Sequence, residues 1–183
     1  MSANPLLDFS DLPRFDLITP VHVQPAIADL LAEARNLITL LTADNTPATW
    51  NDFAQPLTDG IERLSRAWGV VGHLHSVNDI PPWREAYNGM LPEVTRFYSE
   101  LGQNLALFAK YKAIRSAAEY ATLTPAQQKI IDNEVRDFRL SGAELPEDQK
   151  PRFQAIQEEQ AALAAKFSEN LLDATNAFAE VVT

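Results

Sequence analysis

Apolar residues recur every three or four positions over most of the 183-residue chain, which is the spacing of one face of an α-helix. The first such stripe starts near Thr19 or just after Pro25 and stops before a polar loop at residues 42–49. Its members are Ile27, Leu30, Leu31, Ala34, Ile38 and Leu41. The stripe therefore predicts an amphipathic helix as the first regular element.

Three more helices are predicted by the stripes that follow. The second starts at Thr49, whose hydroxyl suits an N-cap. Asp52 follows in the first turn, where the helix dipole favours an acidic residue. Pro56 and Gly60 are expected to bend the first half of this helix. Its apolar face comprises Phe53, Leu57, Ile61, Leu64, Trp68, Val71, Leu74 and Val77. The third starts at residues 78–83 and carries Trp83, Tyr87, Met90 or Leu91, Val94, Tyr98 and Leu101. The fourth carries Leu105, Phe108, Tyr111, Ile114 and Ala118.

The clearest helix start is Thr124, because Pro125 fits the first helical position and Gln127 completes a capping box. Gly142 is well placed as the C-terminal stop of this fifth helix. The last helix follows residues 144–151 and is expected to run to the chain end. Its apolar positions, with Gln160 in the series, have the roughly 3.5-residue repeat of helices packed side by side. They are Phe153, Ile156, Leu163, Phe167, Leu171, Ala174, Phe178 and Val181.

These elements predict an all-α fold, an elongated antiparallel bundle of about six helices with a long C-terminal helix. Residues 1–18 are predicted to be an irregular N-terminal arm, because Pro5, Pro13 and Pro20 disfavour a helix there. Its apolar residues make the arm too hydrophobic for a free tail, so we expect it to pack across the helical domain at residues 19–183. They are Leu6, Leu7, Leu12, Phe15 and Ile18.

The amino-acid composition indicates which classes of molecule the chain can bind and in which cell compartment it is expected. The net charge is -10 and the pI is about 4.7, so phosphate backbones and anionic lipid surfaces would repel the chain. We therefore expect no nucleic acid and no membrane partner. The absence of cysteine excludes disulfides and Cys-ligated metals. No signal peptide and no apolar run of the ~20 residues that a membrane span needs are evident, which predicts a soluble, cytoplasmic protein.

Two of the three histidines, His73 and His75, lie one residue apart, with Asp79 close behind. On a strand such a pair could chelate a metal, but successive helical residues rotate by about 100°, so the two imidazoles point to nearly opposite sides. A helical zinc pair needs histidines at i and i+4. We therefore predict no metal site, with both histidines at the boundary of the core beside Leu74. A hydrolase built on His73 and Asp79 is the least supported alternative.

The remaining polar residues predict no catalysis of their own. The densest acidic spots are Glu158-Glu159 and Asp132 with Glu134, and both are interpreted as solvated helix faces because nothing predicts their burial. The three tryptophans lie on or beside apolar stripes and are interpreted as core residues. The chain has no HExxH, no glycine-rich phosphate loop and no Gly-x-Ser-x-Gly.

Several stretches, in order, resemble the N-terminal region of zinc metallopeptidases of the thimet oligopeptidase and neurolysin type. Together they cover residues 4–178, and their order makes the resemblance specific. They read NPLL, LPRFDLITPVHVQPAI, TWNDFAQPL, HLHSVNDIPPWREAYNGMLP, DFRLSGAELP and KFSENLLDATNAF. Where the family pattern has asparagine, this chain has His75, so the His-x-His pair is not a family feature. That departure counts further against a metal site.

The resemblance implies the N-terminal lobe of a two-lobed enzyme that cuts short peptides inside a deep channel. In that family zinc is held by the two histidines of an HExxH helix and a distant glutamate, all downstream of the matched region. We therefore expect no catalytic residue, cofactor or metal in this chain, and no activity from it alone. Zinc is expected in the missing catalytic domain.

The partner implied is the remainder of the same polypeptide, with short peptides as substrates of the whole enzyme. Within this chain, His73 and Tyr87 are the only candidates for the substrate channel. The last helix lacks a glycine, proline or basic stop signal, a pattern that a helix fraying at a natural chain end also gives. It agrees with the longer chain that the resemblance implies. The alternative is a freestanding acidic helical protein that acts by binding a partner.

Overall fold

A computed structural model describes residues 4–180 and shows six α-helices and no strand in that range. The helices are α1 (Val23–Thr42), α2 (Gln55–Val77), α3 (Pro81–Gly102), α4 (Leu105–Ser116), α5 (Pro125–Leu140) and α6 (Lys150–Ala177). Short 3₁₀ helices lie at Pro5–Leu7, Pro20–His22 and Ala118–Thr122. The prediction of an all-α fold with a long C-terminal helix is confirmed. No helix in the described range is both long and apolar enough to cross a membrane.

The predicted N-caps at Thr49 and Thr124 are both confirmed. The hydroxyl of Thr49 accepts a hydrogen bond from the Asp52 N–H at 3.0 Å. At Thr124 the capping box is complete, since the Gln127 N–H donates to the Thr124 hydroxyl and the Gln127 side chain accepts from the Thr124 N–H at 2.9 Å. Between Thr49 and α2 the chain forms a π-helical turn, Trp50–Ala54. The irregularity thus lies directly before Pro56, and the helical backbone continues from this turn into α2.

The predicted stop at Gly142 is also confirmed. The Ala143 N–H donates to the Phe138 carbonyl at 3.0 Å and the Gly142 N–H donates to the Arg139 carbonyl at 3.1 Å, which is a Schellman motif. Gly142 has a φ of 87°, a left-handed conformation that favours glycine. A Cβ at this position would lie 2.7 Å from Leu145 Cδ1. Gly142 therefore ends α5 and sets the course of the chain toward α6.

The core consists of two clusters of buried apolar side chains that meet between α1 and α2. The first joins the N-terminal segment to α1, α2 and α3, with Val23, Ile27, Leu64, Val71 and Phe97 almost fully buried. The second joins the end of α1 and the π-helical turn to α4 and α5, with Phe53, Leu107, Phe108, Tyr111 and Ile131 almost fully buried. Half-buried Ile38 and Ile61 contact both clusters, so the two form one continuous interior.

The segment before α1 contributes to this interior from both of its ends. Leu6 and Ile18 are 3% and 5% exposed, whereas Leu12 between them is 78% exposed. The Asn4 side chain donates to the His22 carbonyl at 2.9 Å and ties the start of the segment to the start of α1. Residues 1–3 of the predicted arm lie outside the described range, and the division of the chain at residue 18 stays a prediction.

Several predicted positions at the ends of α1, α2 and α4 need correction. Val77 is 65% exposed and Leu105 is 50% exposed, because the last residue of α2 and the first residue of α4 project beyond the packed faces. Ala118 lies in a 3₁₀ helix rather than in α4. The first helix starts at Val23, between the two predicted starts, because a 3₁₀ turn from Pro20 to His22 precedes it.

The largest correction concerns α6, in which no residue is buried. Phe153, at the start of the predicted apolar stripe, is half-buried. The stripe beyond it is mostly uncovered within the described chain, with Ile156, Leu163, Phe167 and Leu171 exposed by 43%, 60%, 68% and 57%. Smaller residues such as Ala161 and Ala165 face α3 instead and are half-buried. The helix ends at Ala177 rather than at the chain end, and Val181 of the predicted stripe lies outside the described residues.

Candidate functional site

Helix α2 separates His73 from His75, as their spacing predicts. His73 is exposed, and its ring meets the Phe15 ring edge-on with 5.5 Å between ring centroids. His75 is only 8% exposed and faces α3 and α6. The prediction that both histidines lie at the boundary of the core is therefore wrong for His75, because two further helices cover its side of α2.

The Tyr87 ring, from α3, lies flat between two rings of α2. It stacks on Trp68 with 4.8 Å between centroids and an angle of 9°, and on His75 with 4.4 Å and 8°. Trp68 and His75 are seven residues apart, so they share a face of α2 and are separated by about 10.5 Å along its axis. That separation accommodates one flat ring, which explains why the three rings form a single stack. Burial raises the pKa of the Tyr87 hydroxyl.

His75 also approaches α6. Its Nε2 lies 3.5 Å from Glu169 Oε1 and makes no hydrogen bond within the described residues. The same Glu169 oxygen accepts a hydrogen bond from the Asn88 amide at 2.8 Å. A carboxylate of α6 is therefore placed against both α2 and α3.

A second set of polar contacts, here named the polar clasp, consists of Asp79, Arg84 and Asp173. The Arg84 guanidinium donates to Asp79 at 2.7 Å and to Asp173 at 3.0 Å, which links the α2–α3 turn to α6. These hydrogen bonds hold the pKa of both carboxyls below the ordinary range. Because the pKa of each acid is lower in the folded state, the stabilisation is present at neutral pH and is lost as the pH falls through the lowered pKa.

A cavity of about 640 Å³ lies among α2, α3 and α6 beside these groups. His75, Tyr87 and Glu169 line it together with Leu91 and Leu172. Two serines also line it, but the Ser76 hydroxyl donates to the Gly72 carbonyl at 2.9 Å and the Ser168 hydroxyl donates to the Ala164 carbonyl at 3.0 Å. No hydroxyl is thus hydrogen-bonded to His75, so the site lacks the nucleophile and base pair of a serine hydrolase.

The described residues offer no metal centre. No group of three or more His, Cys, Asp or Glu side chains between residues 4 and 180 is arranged to hold a metal ion. The imidazoles of His73 and His75 diverge, and Asp79 is paired with Arg84. The donor set therefore does not fit zinc.

The acidic spots are less solvated than their sequence predicts. Glu134 is half-buried, and burial, followed by the nearby charge of Asp137, raises the pKa of its carboxyl. Glu158 is also half-buried and accepts a hydrogen bond from Gln154 at 2.9 Å. The interpretation as solvated faces is wrong for these two residues. Neither belongs to a pair of carboxylates with opposed pKa shifts, which acid–base catalysis would need.

The structure does not bring the two predicted channel residues together. His73 lies on the side of α2 that meets the N-terminal segment, whereas Tyr87 lies on the side that meets α3 and α6. Sequence reasoning found Tyr87 but missed Trp68, His75 and Glu169. The seven-residue spacing of Trp68 and His75 indicates that their rings share one face of α2, so the ring stack could have been predicted from the sequence. No local sequence pattern identifies Glu169.

The polar clasp gives a direct prediction for the mobility of α6. Replacing Asp173 with asparagine should speed amide hydrogen exchange in the C-terminal half of α6, because Arg84 loses one carboxylate and no buried side chain of α6 compensates. Hydrogen-exchange mass spectrometry at neutral pH measures this. Asp44→Asn is the control, since Asp44 is exposed and makes no ion pair within the described chain. Equal α6 exchange in both variants would show that the clasp does not hold the helix.

Comparison with known proteins identifies related chains. The family model for the neurolysin/thimet oligopeptidase N-terminal domain matches residues 27–150. Oligopeptidase A of Escherichia coli (strain K12) is 38% identical over 180 residues, which are 98% of this chain and 26% of that protein. The probable cytosolic oligopeptidase A of Arabidopsis thaliana is 36% identical over 183 residues, which are 100% of this chain and 26% of that protein. The chain thus spans about a quarter of the length of the curated relatives it matches.

Proposed function

Since the chain belongs to the family of neurolysin/thimet oligopeptidase N-terminal domains, we propose that it is the helical N-terminal lobe of a zinc-dependent oligopeptidase. The observation that carries this proposal is the extent of the match. It covers nearly the whole chain but only 26% of each oligopeptidase A. The part of the relatives that this chain does not match is long enough to contain a catalytic domain.

In this proposal the two parts of the enzyme have different tasks. The helical lobe forms part of a channel wall that admits short peptides and excludes folded proteins. The downstream lobe would hold the zinc ion, whose contribution would be the activation of water for peptide hydrolysis. This division is supported by the donor set of residues 4–180, which does not fit a metal ion. The chain alone is therefore proposed to be inactive.

Of the two channel candidates, His73 keeps that role in the proposal. Its imidazole is exposed, whereas the Tyr87 ring is held between Trp68 and His75. His73 and Tyr87 lie on opposite sides of α2, so only one of the two can line a given channel surface. Residues 1–18 are proposed to be an arm on this lobe, and residues 19–183 its helical body. The whole enzyme is proposed to be cytoplasmic, in keeping with a relative named as cytosolic.

A second candidate function is a freestanding acidic helical protein that binds a partner. The observation that favours it is the exposed apolar side of α6, which a partner could cover as well as a second lobe could. The two candidates differ in what the rest of the gene product does, so an activity measurement separates them.

The experiment compares the purified 183-residue chain with the complete polypeptide that its source gene encodes, both on internally quenched short peptides. We expect no cleavage by the chain, with or without added zinc. We expect cleavage by the complete polypeptide that a chelator abolishes and zinc restores. Chelator-sensitive cleavage by the chain alone would overturn the proposal, and a complete polypeptide without peptidase activity would favour the partner-binding protein.

A further inference from the structure

We propose that the exposed apolar side of α6 is the surface onto which the catalytic lobe of the longer polypeptide docks, through a helix that lies along it. This inference rests on the proposed function and assigns a site to the contact between the two lobes. The docking face is defined as Ile156, Leu163, Phe167 and Leu171.

The first support is the unusual distribution of side chains around α6. A helix that packs only within its own domain turns its large apolar residues inward and its small or polar residues outward. Helix α6 departs from this pattern: Leu172 and Phe153 are half-buried, but most of its other large apolar residues face outward. Ala161 and Ala165 lie half-buried on the side toward α3, whereas Leu163 and Phe167 are 60% and 68% exposed on the other side. The helix therefore carries a second packing face that the described chain does not use.

The second support is the shape of the docking face. Its members follow one another at intervals of seven, four and four residues, which keeps them within a sector of about 80° over about 22 Å of helix. A narrow straight stripe of this kind suits the seam between two helices lying side by side. Polar groups of Glu159, Lys166 and Asn170 border the same face of α6. An apolar centre with a polar rim is typical of a protein interface.

The area of the docking face and the net charge of the chain indicate what covers this face. A strip one helix wide and about 22 Å long covers roughly 250 Å², far below the ~800 Å² that each partner contributes to a stable complex of separate proteins. A covalently connected lobe needs much less contact, because its effective concentration is high. Two copies of this chain, each with a net charge of -10, would also repel each other. Both considerations favour a connected lobe over a second copy.

The contacts on the other side of α6 fix the direction in which the docking face points. Glu169 lies against His75 and Asn88, and Asp173 pairs with Arg84. These contacts set the rotation of α6 about its own axis, so Ile156, Leu163 and Phe167 are held away from α3, while Leu171 lies at the edge of the cavity among α2, α3 and α6. The docking face is thus presented in one orientation before the second lobe is in place.

The test uses a single cysteine as a probe of accessibility, since the chain has none of its own. Phe167→Cys probes the docking face. Leu40→Cys on α1 is the matched control, because Leu40 is 67% exposed and Phe167 is 68% exposed. Each variant is made in the 183-residue chain and in the complete polypeptide of the source gene. Alkylation rates are read by mass spectrometry of the peptide that contains the probe, and Leu163→Cys serves as a second probe.

In the chain alone we expect the two thiols to react at similar rates. In the complete polypeptide we expect the thiol at position 167 to react at least about tenfold more slowly, with position 40 unchanged, because a covered site reacts only during local opening. Equal reactivity of both positions in a complete polypeptide that cleaves peptides would overturn the docking site and leave the proposed function standing. Protection of position 167 in the chain alone, with a doubled mass by light scattering, would assign the face to a second copy.

Discussion

Replacing Phe53 with alanine is expected to lower the free energy of unfolding by about 3–5 kcal/mol. Phe53 is fully buried, and its ring packs edge-on against Tyr111 with 5.0 Å between centroids. Tyr111 in turn contacts Phe138, so the cavity would open where the π-helical turn meets α4 and α5. A loss of this size is a large share of the ~5–15 kcal/mol by which native proteins are stable. Urea unfolding followed by circular dichroism measures it.

Leu40→Ala is the control for this prediction, because Leu40 is 67% exposed on α1. We expect its effect to stay within about 0.5 kcal/mol, as for other surface substitutions. If Phe53→Ala changed stability as little as Leu40→Ala, the π-helical turn would not be part of the core and the second cluster would need a different description.

Replacing Gly142 with alanine is expected to cost about 1–3 kcal/mol, the second-largest effect. Forcing a residue with a Cβ into the left-handed region costs about 1–2 kcal/mol, and φ at this position is 87°. The new Cβ would also lie 2.7 Å from Leu145 Cδ1, so that side chain must move. Because the Schellman motif at Gly142 directs the chain into α6, we expect faster hydrogen exchange in residues 141–149 as well.

The matched control is Gly89→Ala in the middle of α3, where a Cβ would meet no atom within 4 Å. Alanine is favoured over glycine inside a helix by about 0.5–1 kcal/mol, so this variant should be as stable as the original chain or more stable. Equal stability of the two alanine variants would contradict the structural role assigned to Gly142.

The parts of the fold that the sequence predicts well are those that local chemistry decides. Thr124 with Gln127 forms a capping box within one turn, and Gly142 terminates α5 through its own backbone conformation. Neither depends on a distant residue. The burial of Val77 and Leu105 was predicted wrongly, since the periodic pattern continues to the end of a helix while the packed face does not.

The candidate site was harder to predict, because its contacts join residues that are far apart in the sequence. The environment of His75 is set by Tyr87 from α3 and by Glu169 from α6, neither of which lies near it in the chain. The stripe on α6 illustrates the same limit. Periodicity identified Leu163 and Phe167 as one apolar face, but it could not indicate that nothing in the described chain covers them.

The most direct test of the central claim is to sequence the source gene past codon 183. If the chain is the N-terminal lobe of a zinc oligopeptidase, the reading frame continues and encodes an HExxH motif downstream, at a total length close to that of the relatives, of which this chain covers about 26%. A stop codon at that point, or a continuing frame without a zinc-binding motif, would contradict the account.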